Sequence, residues 1–185
     1  GVHRHNNPRI GGWAKLGGCN CRGYRVMRQR IVSHGDVAVR PVELADIELI
    51  RRWRNEQMDV LRQSKPISAV AQLGYFMKFV WPERAKASPK QVVLGIKFED
   101  RLVGYGGLVP IAWSELRAEV SFLLDPVYEG DPAIKEHLFS TFLRLVCGIA
   151  FNDLELTELI TRTYPYRHRH ITILEDFGFS RYPKE

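Results

Sequence analysis

The sequence predicts a mixed fold of the α/β or α+β class, in which a mostly antiparallel sheet is flanked by helices. Three strand-like runs between residues 92 and 124 are joined by short polar turns, which is typical of an antiparallel meander. A helix, a strand and a second helix then follow up to residue 178, so a β-α-β unit continues the same sheet. Of the 185 residues, 45% are hydrophobic, which is enough to build a sizeable core.

The elements before the meander are one strand and two helices. Residues 37–40 are predicted as a short strand. Apolar residues at three-residue steps predict one face of a helix over residues 44–55. Ser68 can cap a second helix that extends to residue 80, and a loop is expected over residues 81–89.

The meander and the unit after it complete the predicted order. Its three strands are Val92–Phe98, Leu102–Trp113 and Arg117–Leu124. Aspartate followed by proline is a strong helix start, because the aspartate can cap the first free amides and proline suits the first helical position. The last elements are a helix from Asp131 to about Phe151, a strand over Leu156–Thr163 and a helix over Arg167–Phe177 that Gly178 closes.

Charge divides the chain into two parts. Residues 1–35 hold seven basic and no acidic residues, whereas residues 36–185 hold 20 basic and 21 acidic residues. Residues 1–35 also lack periodicity, so they are predicted to be a basic, flexible tail that can be removed without loss of folding, before one domain over residues 36–185. No apolar stretch is long enough to cross a bilayer, and three cysteines favour a reducing compartment, so we expect a cytoplasmic protein with no membrane contact.

Several local motifs resemble one enzyme superfamily. They are WRN within Glu48–Gln57, LRQSKPIS after it, GYGGLV, AEVSFLL, TRTYPYR, and HITILEDFGF over His170–Phe179. Together with the element order, they resemble GNAT superfamily N-acetyltransferases over about residues 36–180. The likeness is greatest to the ribosomal-protein and amino-sugar acetyltransferase branches, the latter of surface-polysaccharide pathways. Since another strand normally follows the Gly-Phe turn in those relatives, the last strand is expected to be missing or truncated here.

The resemblance implies acetyl-CoA as co-substrate. No metal is expected, because Cys19 and Cys21 lack the second spaced pair of a structural zinc site. In the family the pantetheine arm pairs with an exposed strand backbone, and the pyrophosphate lies on amides that open the next helix. The residues at these positions, with the basic start of the last helix, are Phe122, Leu123, Leu124, Tyr128, Gly130, Asp131, Ala133, Ile134, Arg167 and His168. Pro132 removes one amide, and Glu129 and Asp131 add negative charge, so the alternative is that Asp131 and Pro132 only start a helix.

The resemblance also implies two residues for proton transfer. Glu119 lies in the strand where the family often places the base that accepts the acceptor amine's proton; the alternative is a cross-strand salt bridge. Tyr164 lies where it could protonate the departing thiolate, as could Tyr166, or both could be packing residues. Arg167 and Leu174 stand where many members have an asparagine and the leaving-group tyrosine.

The acceptor is expected to be a small-molecule amine, most similar to a nucleotide-linked amino sugar. The residues that the resemblance places at this pocket are Trp53, Arg54, Asn55, Gln57, Arg62 and Tyr105. A protein N-terminal α-amine is the alternative acceptor, and a non-catalytic GNAT-fold binding module is the alternative class. Nucleic acid is not expected as a partner, because the basic tail has no folded reading surface; a homodimer is left open.

Overall fold

The chain forms one eight-stranded sheet with helices on both faces. The structure, a computed structural model, describes residues 2–5, 31–61 and 63–181. The strands are β1 (Val2–His5), β2 (Val32–His34), β3 (Val37–Pro41), β4 (Val92–Phe98), β5 (Arg101–Ala112), β6 (Arg117–Leu124), β7 (Glu158–Thr161) and β8 (Ser180–Arg181). The helices are α1 (Ile47–Glu56), α2 (Ala69–Tyr75), α3 (Pro126–Glu129), α4 (Pro132–Gly148) and α5 (His168–Asp176).

The strand order is β2-β3-β4-β5-β6-β7-β1-β8. Every neighbouring pair among these described strands is antiparallel except β6 and β7, which are parallel and are joined through α4. The predicted mixed and mostly antiparallel sheet is therefore confirmed. The parallel pairing covers only three residues of each strand, from Arg117 to Glu119 on β6.

Hydrophobic residues fill both faces of the sheet. On one face, α4 and α5 pack through Phe139, Phe142 and Leu174, all at most 1% exposed. On the other face, α1 and the π-helical turn after α2 pack through Ile50 and Phe76. None of the helices described is long and apolar enough to cross a membrane.

Two glycines let β5 approach its neighbours closely at the centre of the sheet. A Cβ atom on Gly106 would lie 2.2 Å from the carbonyl oxygen of Ser121, and one on Gly107 would lie 2.0 Å from that of Val92. Gly107 also has a φ of +139°, which L side chains rarely adopt. The glycines of the Gly-Tyr-Gly-Gly run are therefore needed for strand packing.

The structure differs from the predicted tail at two described segments. Val2–His5 forms a strand between β7 and β8, and Val32–His34 pairs with β3 at the other edge. Such short strands form because neighbouring strands offer backbone partners, which leaves no periodic signal in the sequence. The rest of residues 1–30 lies outside the described part of the chain.

Other element boundaries differ less. The predicted loop after residue 80 begins with a 3₁₀ turn at Trp81–Ala85, and the long helix ends in a π-helical turn at Ile149–Asp153. After the Gly178 turn, Ser180–Arg181 form β8, the last element of the described residues.

Candidate active site

The separation of β6 and β7 opens a cleft. The two strands pair from Arg117 with Glu158 to Glu119 with Ile160, and no strand among those described pairs with that edge of β6 beyond Glu119. The Thr161 hydroxyl donates to the Val120 carbonyl (3.2 Å) just past the last pair. The cleft has a volume of about 260 Å³. Its wall along β6 therefore offers backbone donors and acceptors to a peptide-like ligand, as one more strand would use them.

Glu119 lies in this cleft at the point where the strands separate. Its carboxylate is 21% exposed, and Oε2 lies 3.3 Å from a guanidinium nitrogen of Arg162. The structure thus shows the cross-strand ion pair and also keeps the carboxylate within reach of the cleft. A cleft position and an ion pair are compatible, because a carboxylate has two oxygens that accept several hydrogen bonds.

Tyr164 lines the same cleft on the β7 side. Its ring stacks on that of Tyr166, with centroids 5.3 Å apart and an interplanar angle of 11°. The Tyr166 hydroxyl donates to the carbonyl of Asp59 (3.0 Å), so Tyr166 ties this segment to the chain after α1. Of the two tyrosines, Tyr164 is the one whose position fits contact with a ligand.

An aromatic stack forms the floor of the cleft. The rings of Phe122 and Phe139 have centroids 4.3 Å apart, and the imidazole of His170 stacks on Phe139 at 4.3 Å. His170 is 5% exposed. Burial, with the nearby cations of Arg167 and Lys135, lowers the pKa of His170 to about 3. The imidazole is therefore neutral at physiological pH.

The start of α4 is capped by the protein itself. The Asp131 carboxylate accepts from the backbone amides of Ala133 (3.0 Å) and Ile134 (3.1 Å). This is the helix-start alternative for Asp131 and Pro132, and these two amides are the ones predicted to hold the pyrophosphate. A bound diphosphate would therefore have to share or replace the Asp131 cap.

Glu129, the acidic residue before the start of α4, lies close to two basic side chains. Glu129 forms an ion pair with Lys135, and its other oxygen lies 3.9 Å from Arg167. Arg167 lines the cleft, whereas His168 is exposed on the first turn of α5. Tyr128 packs edge-on against Phe98 at a centroid distance of 6.5 Å, and Gly130 has open space where a Cβ atom would lie.

Leu123 and Leu124 are buried on opposite faces of β6, at 4% and 0% exposure. With Phe122, they lie on the part of β6 whose outer edge faces the cleft. Because the two leucine side chains are in the cores, only backbone groups of this part of β6 could act in recognition, and the Leu124 carbonyl already accepts from Gln57 (2.7 Å).

Three of the six predicted acceptor residues make structural contacts at the end of α1. The Asn55 amide donates to the Ile67 carbonyl (2.9 Å), and its oxygen accepts from the Ile67 amide (2.8 Å). Gln57 is 8% exposed and donates to the Leu124 carbonyl (2.7 Å), and Trp53 is 4% exposed in the core. These three residues position α1 and the loop after it against β6.

Arg54 and Tyr105 are half-buried neighbours. Arg54 donates to the side-chain oxygen of Gln63 (3.2 Å). Burial raises the pKa of Tyr105, while the neighbouring guanidinium of Arg54 lowers it in part. Arg62, the remaining predicted residue, lies outside the described residues.

Thr163 and His170 line the cleft but were not among the predicted site residues. His170 carried one available signal, since it lies four residues before Leu174 and so shares the apolar face of the same helix. Thr163 carried no comparable signal, because its position depends on where β7 ends and turns away from β6.

The fold and the cleft together define a class of protein. A strand edge left open beside a neutral, aromatic-floored cleft fits the amide-bearing arm of an acyl-CoA, and a carboxylate at its apex fits transfer to an amine. No group of three or more metal-ligating side chains is found in the described parts of the chain.

Comparison with protein families supports this class. Residues 39–184 match the acetyltransferase (GNAT) domain family. The chain therefore belongs to the GNAT acetyltransferase family, and it is an N-acetyltransferase that uses acetyl-CoA as co-substrate. The superfamily resemblance is thus confirmed. A search of curated proteins gave no match.

Solved structures show the same fold at low sequence identity. A spermidine N-acetyltransferase from Vibrio cholerae, in complex with CoA and spermine, superposes with a TM-score of 0.68 at 16% identity, over 81% of this chain and 84% of that one. A dodecameric structure of the V. cholerae enzyme gives 0.66 at 15% identity, over 81% and 82%. A probable acetyltransferase gives 0.63 at 16% identity, over 80% and 82%.

Proposed function

We propose that this acetyltransferase transfers the acetyl group of acetyl-CoA to the primary amine of a nucleotide-linked amino sugar, as in surface-glycan synthesis. The observation that carries the proposal is the position of Glu119, a carboxylate at the apex of the cleft beside the open edge of β6. An amine that enters beside Glu119 would meet an acetyl group presented along this edge.

Glu119 and Tyr164 would share the proton transfers. Glu119 accepts a proton from the acceptor ammonium, directly or through water, so that the nitrogen can attack the thioester carbonyl carbon. As the new C–N bond forms and the C–S bond breaks, the electron pair of the C–S bond goes to sulfur, and the new amide nitrogen releases its second proton to solvent. Tyr164 donates its hydroxyl proton to that sulfur, and a proton from solvent restores the tyrosine.

Charge favours an acceptor that carries anionic groups. Glu119 is paired with Arg162, a side chain that is 53% exposed, and Arg167 lines the same cleft. A polyamine would bring several positive charges to a region that already holds two arginines, whereas a diphosphate would gain partners there. For the same reason, a protein N-terminal α-amine is the second candidate, since it brings only one positive charge.

Acceptor screening tests this proposal. Thiol release and product mass would be measured with acetyl-CoA and, in parallel, a nucleoside-diphosphate amino sugar, spermidine and a short peptide with a free N-terminus. Turnover of the sugar at a kcat/KM at least about tenfold above the other two supports the proposal. Preference for spermidine or for the peptide overturns the acceptor assignment, and release of thiol with no acceptor at all would overturn the role of the cleft.

Two further parts of the proposal concern location and assembly. We place the enzyme in the cytoplasm, which is consistent with a chain of only three cysteines and with a co-substrate made inside cells. Self-association is also proposed, because a structural neighbour with this fold is dodecameric. Light scattering of the purified chain measures the assembly directly.

A further inference from the structure

Two buried polar atoms in the cleft have no hydrogen-bond partner in the described protein. They are the hydroxyl oxygen of Thr163 and Nδ1 of His170. Buried polar atoms in folded proteins are nearly always hydrogen-bonded, since leaving one unpaired loses the bonds it makes with water. Two such atoms in the wall of one cleft indicate groups that a ligand completes.

His170 is held rigidly enough to recognise a ligand. Its ring stacks on Phe139 with an interplanar angle of 17° and lies 6.4 Å from the ring of Phe122. Because burial and the cations of Arg167 and Lys135 keep the imidazole neutral, it presents one N–H and one bare nitrogen. It can therefore donate or accept a hydrogen bond, but it does not supply a charge.

The charges around the cleft indicate which part of a ligand meets these atoms. Glu119 is paired with Arg162, and Arg167 lies beside Glu129, so the charged lining residues serve the apex and the start of α4. Thr163 and His170 are both uncharged. Uncharged donors and acceptors match amide and thioester groups better than they match an ammonium or a phosphate.

We propose that Thr163 and His170 hydrogen-bond the amide-bearing arm of acetyl-CoA, from the wall of the cleft that faces the open edge of β6. The arm would then be held on both sides, by backbone groups of β6 and by these two side chains. His170 is a positioning residue in this role. The proposal rests on the cofactor lying along β6, as in the proposed function.

Isosteric substitutions test the role. His170→Phe keeps the aromatic stack and Thr163→Val keeps the branched shape, but each removes the hydrogen-bonding atom. Each should weaken acetyl-CoA binding, measured by calorimetric titration, by roughly twofold to tenfold. The melting temperature without ligand should not fall, because no protein hydrogen bond is lost; the KM for the amine should stay unchanged.

Rescue and control variants separate recognition from structure. His170→Asn places an amide near the position of Nδ1 and should recover part of the affinity. His34→Phe makes the same substitution at an exposed histidine of β2 and should bind acetyl-CoA as wild type does. Wild-type binding by both His170→Phe and Thr163→Val would overturn the proposal.

Nuclear magnetic resonance of the unmodified protein gives a test that needs no variant. With ¹⁵N-labelled histidine, the Nδ1 resonance of His170 should shift when CoA is added, because a new hydrogen bond changes its shielding. A resonance that stays in place while CoA binds overturns the role of His170 alone. If CoA does not bind to the wild type, the cofactor position in the proposed function is wrong as well.

Discussion

One substitution can distinguish a catalytic role of Glu119 from a structural role. Glu119→Gln keeps the size of the side chain and a hydrogen bond to Arg162 but removes the basic oxygen. Loss of a general base typically lowers the rate by about 10²–10⁴. Turnover in a thiol-release assay should fall by that order, with partial recovery at higher pH and little change in acetyl-CoA affinity.

Glu158 provides the matched control for this variant. It is also a strand carboxylate close to an arginine, with Oε2 3.7 Å from Arg117, but it is not among the residues that line the cleft. Glu158→Gln should leave turnover within about twofold of wild type, since ion pairs of this kind contribute little. Near-full turnover by Glu119→Gln would instead make Glu119 a structural residue.

The lowered pKa of His170 predicts that the stability of the fold changes at low pH. The unfolded chain takes up a proton at His170 near pH 6.5, whereas the folded protein resists it until about pH 3. Stability must therefore fall as the pH drops below 6.5, by about 1.4 kcal/mol per unit and about 2 kcal/mol by pH 5. Arg167 and Lys135, the cations that face His170, oppose its protonation in the folded protein.

Urea unfolding at pH 7 and pH 5 measures this effect. Wild type should lose about 2 kcal/mol more than His170→Phe between the two pH values, because only wild type has the titrating imidazole. An equal loss in both proteins would mean that His170 is not the group responsible.

Among elements, the N-terminus of α4 shows a conflict between capping and anion binding. The Asp131 carboxylate uses the amides of Ala133 and Ile134, so it competes with a diphosphate at that helix end. Asp131→Ser keeps an N-cap oxygen and removes the charge. Acetyl-CoA should bind about twofold to fivefold more tightly, since a charge at a helix terminus contributes 0.3–1 kcal/mol.

Calorimetric titration at two salt concentrations checks this expectation. The gain should shrink at high salt, because screening weakens the repulsion that Asp131 exerts. Asp176→Asn, at the exposed last residue of α5, removes one acid elsewhere and should leave the affinity unchanged. Weaker binding by Asp131→Ser would mean that the cap positions the site instead of competing for it.

The glycines of β5 make a prediction about the sheet. Gly107→Ala places a Cβ atom against the Val92 carbonyl at a φ that disfavours alanine, so it should destabilise the fold by about 2–3 kcal/mol. Gly74 lies in α2 with open space around it, and Gly74→Ala should stabilise by about 0.5–1 kcal/mol. Urea unfolding measures whether each variant raises or lowers the free energy of unfolding. Equal changes in both variants would show that the close approach of β5 to β4 does not require Gly107.

For the whole molecule, β1 links the first residues to the end of the sheet. The sequence predicts that removal of residues 1–26 leaves folding unchanged, whereas the pairing of Val2–His5 with both β7 and β8 predicts a loss of stability. His3→Pro removes a ladder donor without shortening the chain and should lower the melting temperature by several degrees. His3→Thr keeps the donor and should melt as wild type does. If His3→Pro leaves the melting temperature unchanged, the result supports the predicted flexible tail.

The elements that could be predicted are those that depend on interactions between residues close together in the chain. The meander, the helix that Asp131 caps and the helix that Gly178 ends depend on side-chain alternation, helix periodicity and local capping. These are properties of neighbouring residues, so they can be read along the chain. Glu119 could be placed in the third strand of the meander, the strand that lines the cleft, because the alternation of that strand was recognisable.

The sequence by itself determined the order of the main elements between residues 37 and 178, the mixed sheet and the family. Only the tertiary structure decided that β7 leaves β6 after Glu119, that Asn55 and Gln57 serve as anchors, and that Thr163 and His170 face one cleft. It also decided that Val2–His5 pairs with strands more than 150 positions away. These features depend on contacts between distant residues, and a single sequence carries no local pattern for them.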